Sequence, residues 1–537
     1  MRGALKRFPL GVLLFLARCS DENPPGVPAD AAPDVPIPTA TIEQLKDPET
    51  CKECHAKHYR EWSGSMHAYA SDDPMFLAMN ERGQREANIG NFCVQCHAPM
   101  AVAAVAPGTV IDTAMLQALP KSQRGVTCYF CHSIDAVNGK HNNPLHLAND
   151  GVMRGSFTNP VPNQAHKSAY SEFLDGEQLA SAHACGSCHD IVNDKEAHIE
   201  RTFLEWETSV FSAAVLGQTC AQCHMDKLQS EVIADGPKVQ GVFARDRHLH
   251  AMPGVDRAIV PFPEIAAQED AVKTFLNLPP VVQTAVCVGT LGAQDARIAL
   301  IVDNRQSGHN WPSGASQDRQ FWFEMTAYAG GMPIYQTGLV PAGTDPTESK
   351  DEDLWLLRDC MFDEQGEETH LFWEAKTIDS KTLPAPLTLD PTHPDFYKSH
   401  VSRGFPFDST KRISPIPDRV TLKIWAQAFP YAVFDKFMPE LKGLGYDDDQ
   451  LRQLRAKLAP LQVTSQTLFE DGGLSKEPGV VEWTVEAAQK TKGGVFPNSA
   501  GLIPVLPRAA TVYCVSGNNM PMNAQAIIAP TSTRCKP

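Results

Sequence analysis

The sequence is short of positive charge. Its 47 lysines and arginines face 63 aspartates and glutamates over 537 residues, a formal net charge of −16. Such a surface repels a polyanion, which excludes nucleic acid as a partner and favours solubility or basic protein partners. Apolar runs of membrane length are missing as well. The best stretch, residues 8–17, is too short to cross a bilayer as a helix. Strand periodicity is scarce in the first half. Apolar content is ordinary at 42%, so a sizeable core can form.

What the chain has instead is a Cys-x-x-Cys-His run, repeated five times. The runs are Cys51-Lys-Glu-Cys54-His55, Cys93-Val-Gln-Cys96-His97, Cys128-Tyr-Phe-Cys131-His132, Cys185-Gly-Ser-Cys188-His189 and Cys220-Ala-Gln-Cys223-His224. Each reads as a c-type haem attachment site. Positions i, i+3 and i+4 share one face of a single helical turn. Two thiols there can bond to the haem edge while the histidine offers a ring nitrogen to the iron. The runs use ten of the 15 cysteines and leave Cys19, Cys287, Cys360, Cys514 and Cys535. Zinc is the competing ligand, but zinc sites do not require a histidine directly after the second cysteine every time. The reading is therefore five covalently bound haem c groups, whose propionates would make the loaded protein more acidic still.

The first residues read as an export signal. Residues 1–7 are basic, 8–17 apolar, and 1–19 are expected to form a signal peptide. Leu16-Ala-Arg-Cys19 resembles a bacterial lipobox, with Arg18 where a small residue is usual. Lipidation of Cys19 would anchor the chain to a membrane; an ordinary signal peptide with an incidental Cys19 is the alternative. Both place the protein outside the cytoplasm, in the periplasm or at the outer membrane or cell surface, where haem attachment and disulfides are compatible. Residues 20–40, rich in proline and alanine, read as a tether.

The fold class is multi-domain. Residues 41–278 are expected to form a mainly α or irregular pentahaem cytochrome c domain, its cofactors supplying much of the apolar core. Residues 279–537 read as a β-rich, sandwich-like domain with a helical insertion. In it, 297–303 reads as a strand, and 420–426 alternates as a half-buried one. Residues 320–328 pass through Gly330 and Gly331 into 333–335, a hairpin signal. The insertion is a helix capped by Asp447, Asp448 or Asp449, lined by Leu451, Leu454 and Leu458, and stopped at Pro460. Four cysteines here allow two disulfides. Proximity favours Cys514–Cys535, although connectivity is not set by sequence.

Five attachment histidines leave thirteen of the 18 for the second axial positions. His67 is the leading candidate. The stretch that holds it, Cys51 through Tyr59, Trp62, Ser65, His67 and Ala68, resembles the multihaem cytochrome c family that includes the tetrahaem electron carrier of ammonia-oxidising bacteria. Phe92-Cys93, Gly125-Val-Thr-Cys128, Cys188-His189-Asp190, residues 201–209 and Thr219-Cys220 through Met225 agree with it, so the resemblance covers the first half. Gly308-His309-Asn-Trp-Pro312-Ser-Gly314 is similar to a Gly-His-x-x-Pro-Thr-Gly element of β-domain relatives, with Ser313 in place of threonine. The resemblance implies electron transfer through bis-histidine haems, with distal ligands His67, His166, His250 and His309. His248 is the alternative to His250. The fifth distal ligand is open among His146, His141, His183, His58 and His198. Met66, Met225 and Met252 read as packing, as do Tyr59, Trp62 and Trp206. His370, His393 and His400 read as surface residues.

Two functions compete. The first is electron transfer by an exported pentahaem cytochrome, its partners other redox proteins or cytochromes, with self-association into an oligomer or filament as a further option. The second is an oxidoreductase acting on a small nitrogen or sulfur species at a five-coordinate haem. The multihaem nitrite reductases typically carry a Cys-x-x-Cys-Lys site; no such run occurs here, which counts against catalysis. An open iron alone would not prove it, because the tetrahaem relative keeps one.

Overall fold

The computed structural model describes residues 40–163, 165–214, 216–235, 239, 242–276, 281–463, 477, 479–516, 526–530 and 534–535. The expected signal peptide, its lipobox and nearly all of the tether lie outside them. From residue 41 the chain breaks into short helices, and local chemistry explains the breaks. Thr41 caps Ile42–Lys46 in a reciprocal box with Gln44, and Asp47 then caps Pro48–Lys52, with Pro48 in its first turn. Pro74–Ala87 starts at the cap Asp73 and stops where Asn88 turns left-handed, at φ 51°.

Four two-stranded ladders lie among these helices. They pair β1 (Ile134–Val137) with β2 (Leu145–Leu147), β3 (Val152–Gly155) with β4 (Lys167–Tyr170), β5 (Ile191–Val192) with β6 (His198–Glu200), and β7 (Lys227–Glu231) with β8 (Arg245–His248). The expectation of a mainly helical or irregular first half is corrected to that extent. Strands this short carry no legible period.

The second half contains two larger sheets. One runs, in spatial order, β21 (Val495–Pro497), β22 (Thr511–Ser516), β9 (Val282–Leu291), β10 (Asp295–Asn304), β17 (His400–Phe405) and β23 (Ile527–Ile528). The other runs β12 (Met332–Thr337), β11 (Gln320–Ala329), β18 (Arg419–Gln427) and β19 (Leu461–Val463), with β13 (Leu356–Leu357) also on β11 and β20 (Val481–Thr484) also on β18. Val286, Ile298, Leu300, Phe323, Leu422, Ile424 and Trp483 place one shared core on faces of both. The β11–β12 hairpin turns at Gly330 and Gly331, with φ of 56° and 80°, a backbone that glycine adopts freely. A small sheet of β15 (Glu368–Thr369), β14 (Asp359–Phe362) and β16 (Thr377–Ser380) completes this half.

The helical insertion forms where its caps and leucines predict. Asp447 caps Asp448–Lys457 in a box with Gln450, and Leu451 and Leu454 are buried. Those leucines pack with Phe434 and Phe437 onto Met75, Ala78 and Met79 of Pro74–Ala87. The insertion thus docks on the first half, and Arg85 reaches Glu440 at 2.6 Å across the same seam.

The disulfides are Cys287–Cys514 and Cys360–Cys535. This overturns Cys514–Cys535. The pairing of β22 with β9 sets Cys514 directly opposite Cys287, a relationship formed across 227 residues of chain. Two surface assignments also change. His400 is buried, 3.4 Å from Asp303, and His370 lies 2.7 Å from Asp318, whereas His393 is half exposed. Among the described residues, no helix is long and apolar enough to cross a membrane.

Candidate functional site

Each attachment run winds into a single turn. The amide of the histidine donates to the carbonyl of the first cysteine in the runs of His55, His97 and His189, at 2.8, 3.2 and 3.2 Å. The other two runs are the helices Cys128–His132 and Cys220–His224, capped by the side chains of Thr127 and Thr219. None of the ten cysteines of the runs is in a disulfide, while the four remaining described cysteines are joined in pairs.

Four of the five attachment histidines face a second histidine. Ring centroids stand 6.3 Å apart for His55 and His166, 6.4 Å for His132 and His250, 6.1 Å for His189 and His67, and 6.3 Å for His224 and His309. A metal bonded linearly to one nitrogen of each ring at ~2 Å would separate the centroids by about 6.4 Å, allowing ~1.2 Å from nitrogen to ring centre.

Hydrogen bonds turn the rings the required way. Nδ1 of His55, His97, His132 and His224 donates to the carbonyls of Ile233, Ala70, Arg154 and Pro253, at 2.7, 3.0, 2.5 and 2.9 Å. Among the facing rings, His166, His250 and His309 donate to Lys167, His248 and Asn310, and His67 lies 3.0 Å from the Met252 sulfur. A carbonyl can only accept, so it fixes Nδ1 as the protonated nitrogen and leaves the Nε2 lone pair free. Burial favours the neutral form of four of the rings: it lowers His67 and His309 to about 4, and His189 and His250 to about 3. Oriented, opposed imidazoles beside cysteine pairs on the same helical turn are what covalently held haem iron requires.

The protein brings these partners from far apart. His67 sits on Met66–Tyr69, whose cap Ser65 also donates to the Trp62 carbonyl. Its own carbonyl accepts from Val126 at 2.8 Å. Gly125 permits that approach: at φ 62°, a Cβ there would fall 2.4 Å from the His67 carbonyl oxygen. Glu61 grips Arg247 with both oxygens, at 2.7 and 2.8 Å, and accepts from the His250 amide at 3.1 Å. His309 lies on the loop between β10 and β11. Glu205 accepts from the Asn310 amide at 3.1 Å and from Ser313 Oγ at 2.6 Å, and Thr202 Oγ1 accepts from the Gly314 amide at 3.0 Å. Ser313 therefore serves where threonine stands in the similar element. The roles of Glu205, Glu61 and Arg247 were not legible beforehand, because no spacing rule links them to the histidines they steady.

His97 is different. Its ring stacks on Phe76 at 4.3 Å, and among the described residues no histidine ring contact joins it. His146 is not brought to it: that side chain is 62% exposed and 2.6 Å from Asp135, so the choice of His146 as fifth distal ligand is corrected. His58 packs edge-on to both His55 and His250, His183 on Phe203, and His141 against His198. His248 Nδ1 lies 2.6 Å from the Met225 carbonyl.

The helix Ala180–Gly186 packs on Cys220–His224 and Pro48–Lys52 on Cys128–His132. The thiols of neighbouring runs interact electrostatically, Cys51 with Cys128, Cys96 with Cys188, and Cys185 with Cys220. The Cys131 and Cys185 thiols interact electrostatically. The run of residues 185–189 is therefore the junction: it adjoins the runs of 93–97, 128–132 and 220–224, and 51–55 joins through 128–132.

Comparison with known proteins adds two findings. Residues 50–133 match the family described as cytochrome c554 and c-prime, a stretch that holds the first three runs and His67. The fold is similar to that of a penta-heme cytochrome c552 from Thermochromatium tepidum, with a TM-score of 0.51 and 17% identity over 83% of this chain and 100% of that one. At that identity the likeness is one of fold. No curated protein sequence matches the chain.

Proposed function

We propose that this chain is a multihaem c-type cytochrome that relays electrons, holding one covalent haem at each of its five runs. The observation that carries the proposal is the set of four opposed histidine pairs, each containing one attachment histidine. When bound, the haem groups supply one-electron exchange. The protein does the rest. It orients Nε2 from both sides at three sites, buries most of the rings, and sets the runs side by side so that an electron passes from one to the next.

Residues 41–278 carry the runs, and residues 279–537 brace them and deliver His309. Export through residues 1–19, with tethering by 20–40 and a lipidated Cys19, would set the relay at the outer face of the cell envelope. Its acidic surface suits a basic redox protein or a partner cytochrome. The decisive experiment is intact mass with an electron paramagnetic resonance spectrum. Five added haem masses, four low-spin centres and one high-spin centre are expected. A mature polypeptide with the mass of its bare amino acids ends the proposal.

The lone His97 favours a second reading, in which its iron keeps an open position for a small nitrogen or sulfur species. Cyanide and nitrite test it: conversion of the high-spin signal supports the reading, and an unaltered spectrum removes it.

A further inference from the structure

The helix Pro74–Ala87 carries an unsatisfied amide. Asn80 is fully buried, and neither its Oδ1 nor its Nδ2 has a hydrogen-bond partner among the described residues. A buried amide left unpaired is destabilising, and such groups are rare in folded proteins. It points to a place where a further group is received.

The helix fixes where that amide faces. Residues three and four apart share a helical face. All four such neighbours of Asn80 on this helix meet residues 89–98, the segment built around the second attachment run. Phe76 stacks on the His97 ring at 4.3 Å, with planes 2° apart. Leu77 packs with Val94 and Ala98. Gly83 lies against Ile89, whose side chain a Cβ there would meet at 2.5 Å. Gln84 Nε2 donates to the Gly90 carbonyl. Asn80 sits at the centre of these four and is directed at the same segment.

The His97 ring turns its free nitrogen to the Asn80 side. Its Nδ1 donates to the Ala70 carbonyl at 3.0 Å, and Ala70 precedes the cap Asp73 at the start of the helix. Nε2, across the ring from Nδ1, therefore turns away from the helix start, in the direction in which the chain rises from Phe76 to Asn80.

We propose that Asn80 is the hydrogen-bonding group of the open position at the His97 haem, where its Nδ2 donates to the electron-rich outer atom of a small anion such as nitrite or cyanide. The inference rests on the second reading above, in which that iron keeps an open position. Hydrogen-bond donors and polarity beside a haem decide which small molecules it holds. A neutral amide set in an apolar wall favours an anion that offers lone pairs over an apolar molecule of the same size.

The test uses full-length, haem-loaded wild type, Asn80→Leu and Asn80→Ala, each checked for five haems by intact mass. Cyanide is titrated into the oxidised protein and followed through the high-spin electron paramagnetic resonance signal. The reduced protein is exposed to carbon monoxide, and its C–O stretch is read by infrared spectroscopy. Asn80→Leu is expected to weaken cyanide binding about tenfold, the worth of one hydrogen bond to a charged acceptor. It should also raise the C–O stretch, because a donor to the outer oxygen lowers it. Unchanged cyanide affinity in a five-haem Asn80→Leu protein overturns the inference. So does weaker cyanide binding without a rise in the C–O stretch, since that reports altered packing alone. Should Asn80→Leu fail to mature, Asn80→Ala decides by the same two readings. A wild-type protein with no cyanide-responsive high-spin centre instead overturns the open-position reading, and the inference falls with it.

Discussion

His309 and His224 face one another with ring centroids 6.3 Å apart and planes 24° from parallel, although 85 residues of chain separate them. One ring stands on a helical turn of the first half and the other on a loop of the β-rich half. A bond from each to a common iron would join the two halves through a metal.

Removing one of the two should therefore leave a distinct spectral mark. His309→Ala is expected to convert one low-spin centre to high spin and to leave five haems attached, as read by electron paramagnetic resonance and mass. His146→Ala is the matched control and should change neither, because that ring is paired with Asp135 at the surface. A spectrum insensitive to His309→Ala would remove it from the ligand set.

Stability should fall with rising pH through the titration of Glu205. Burial raises its carboxyl from 4.5 to about 7, despite Arg201 at 3.7 Å and the Ser313 hydroxyl. A carboxyl held above its unfolded value binds its proton more tightly in the native state. Its contribution is fully present below about pH 4.5 and is lost as pH rises through about 7. Glu205→Gln keeps an acceptor for Asn310 and Ser313 but cannot titrate. Melting temperatures across pH 4 to 8, referenced to wild type, should show the variant losing less stability over this window, with a slope difference up to about 1.4 kcal/mol per pH unit.

The disulfides can be checked by peptide mapping under non-reducing conditions. Linked peptides containing Cys287 with Cys514, and Cys360 with Cys535, are expected. Cys287→Ser with Cys514→Ser should cost about 2–4 kcal/mol in denaturant unfolding, because each bond closes a long loop in the unfolded chain. A Cys514–Cys535 peptide would contradict the pairing of β22 with β9.

Phe434→Ala tests the seam between the halves. Phe434 is fully buried among Leu451, Leu454 and the residues of Pro74–Ala87. The substitution should cost about 3–5 kcal/mol and shift the midpoint of denaturant unfolding accordingly. A change under about 1 kcal/mol would mean that the insertion is not held through this ring.

Much of the site was legible in one dimension. The Cys-x-x-Cys-His runs announce themselves, since i, i+3 and i+4 are set by the turn of one helix and need no distant partner. The same locality made the capped helix at Asp447, the Gly330–Gly331 hairpin and the alternating strand β18 readable. His67, named beforehand as the leading second ligand, lies with its ring 6.1 Å from that of His189. What escaped was set by packing rather than by spacing: the exposure of His146, the burial of His400, and the partner of Cys514.

The sequence by itself determined the five Cys-x-x-Cys-His runs and which thiols and histidine each one brings together, because those groups lie within a single turn of backbone. The tertiary structure alone decided which ring faces which run, that His97 faces none among the described residues, and that Asn80 is buried without a partner among them. Those outcomes depend on strand register, on the docking of one half against the other, and on burial, and such long-range packing has no fixed spacing along a chain.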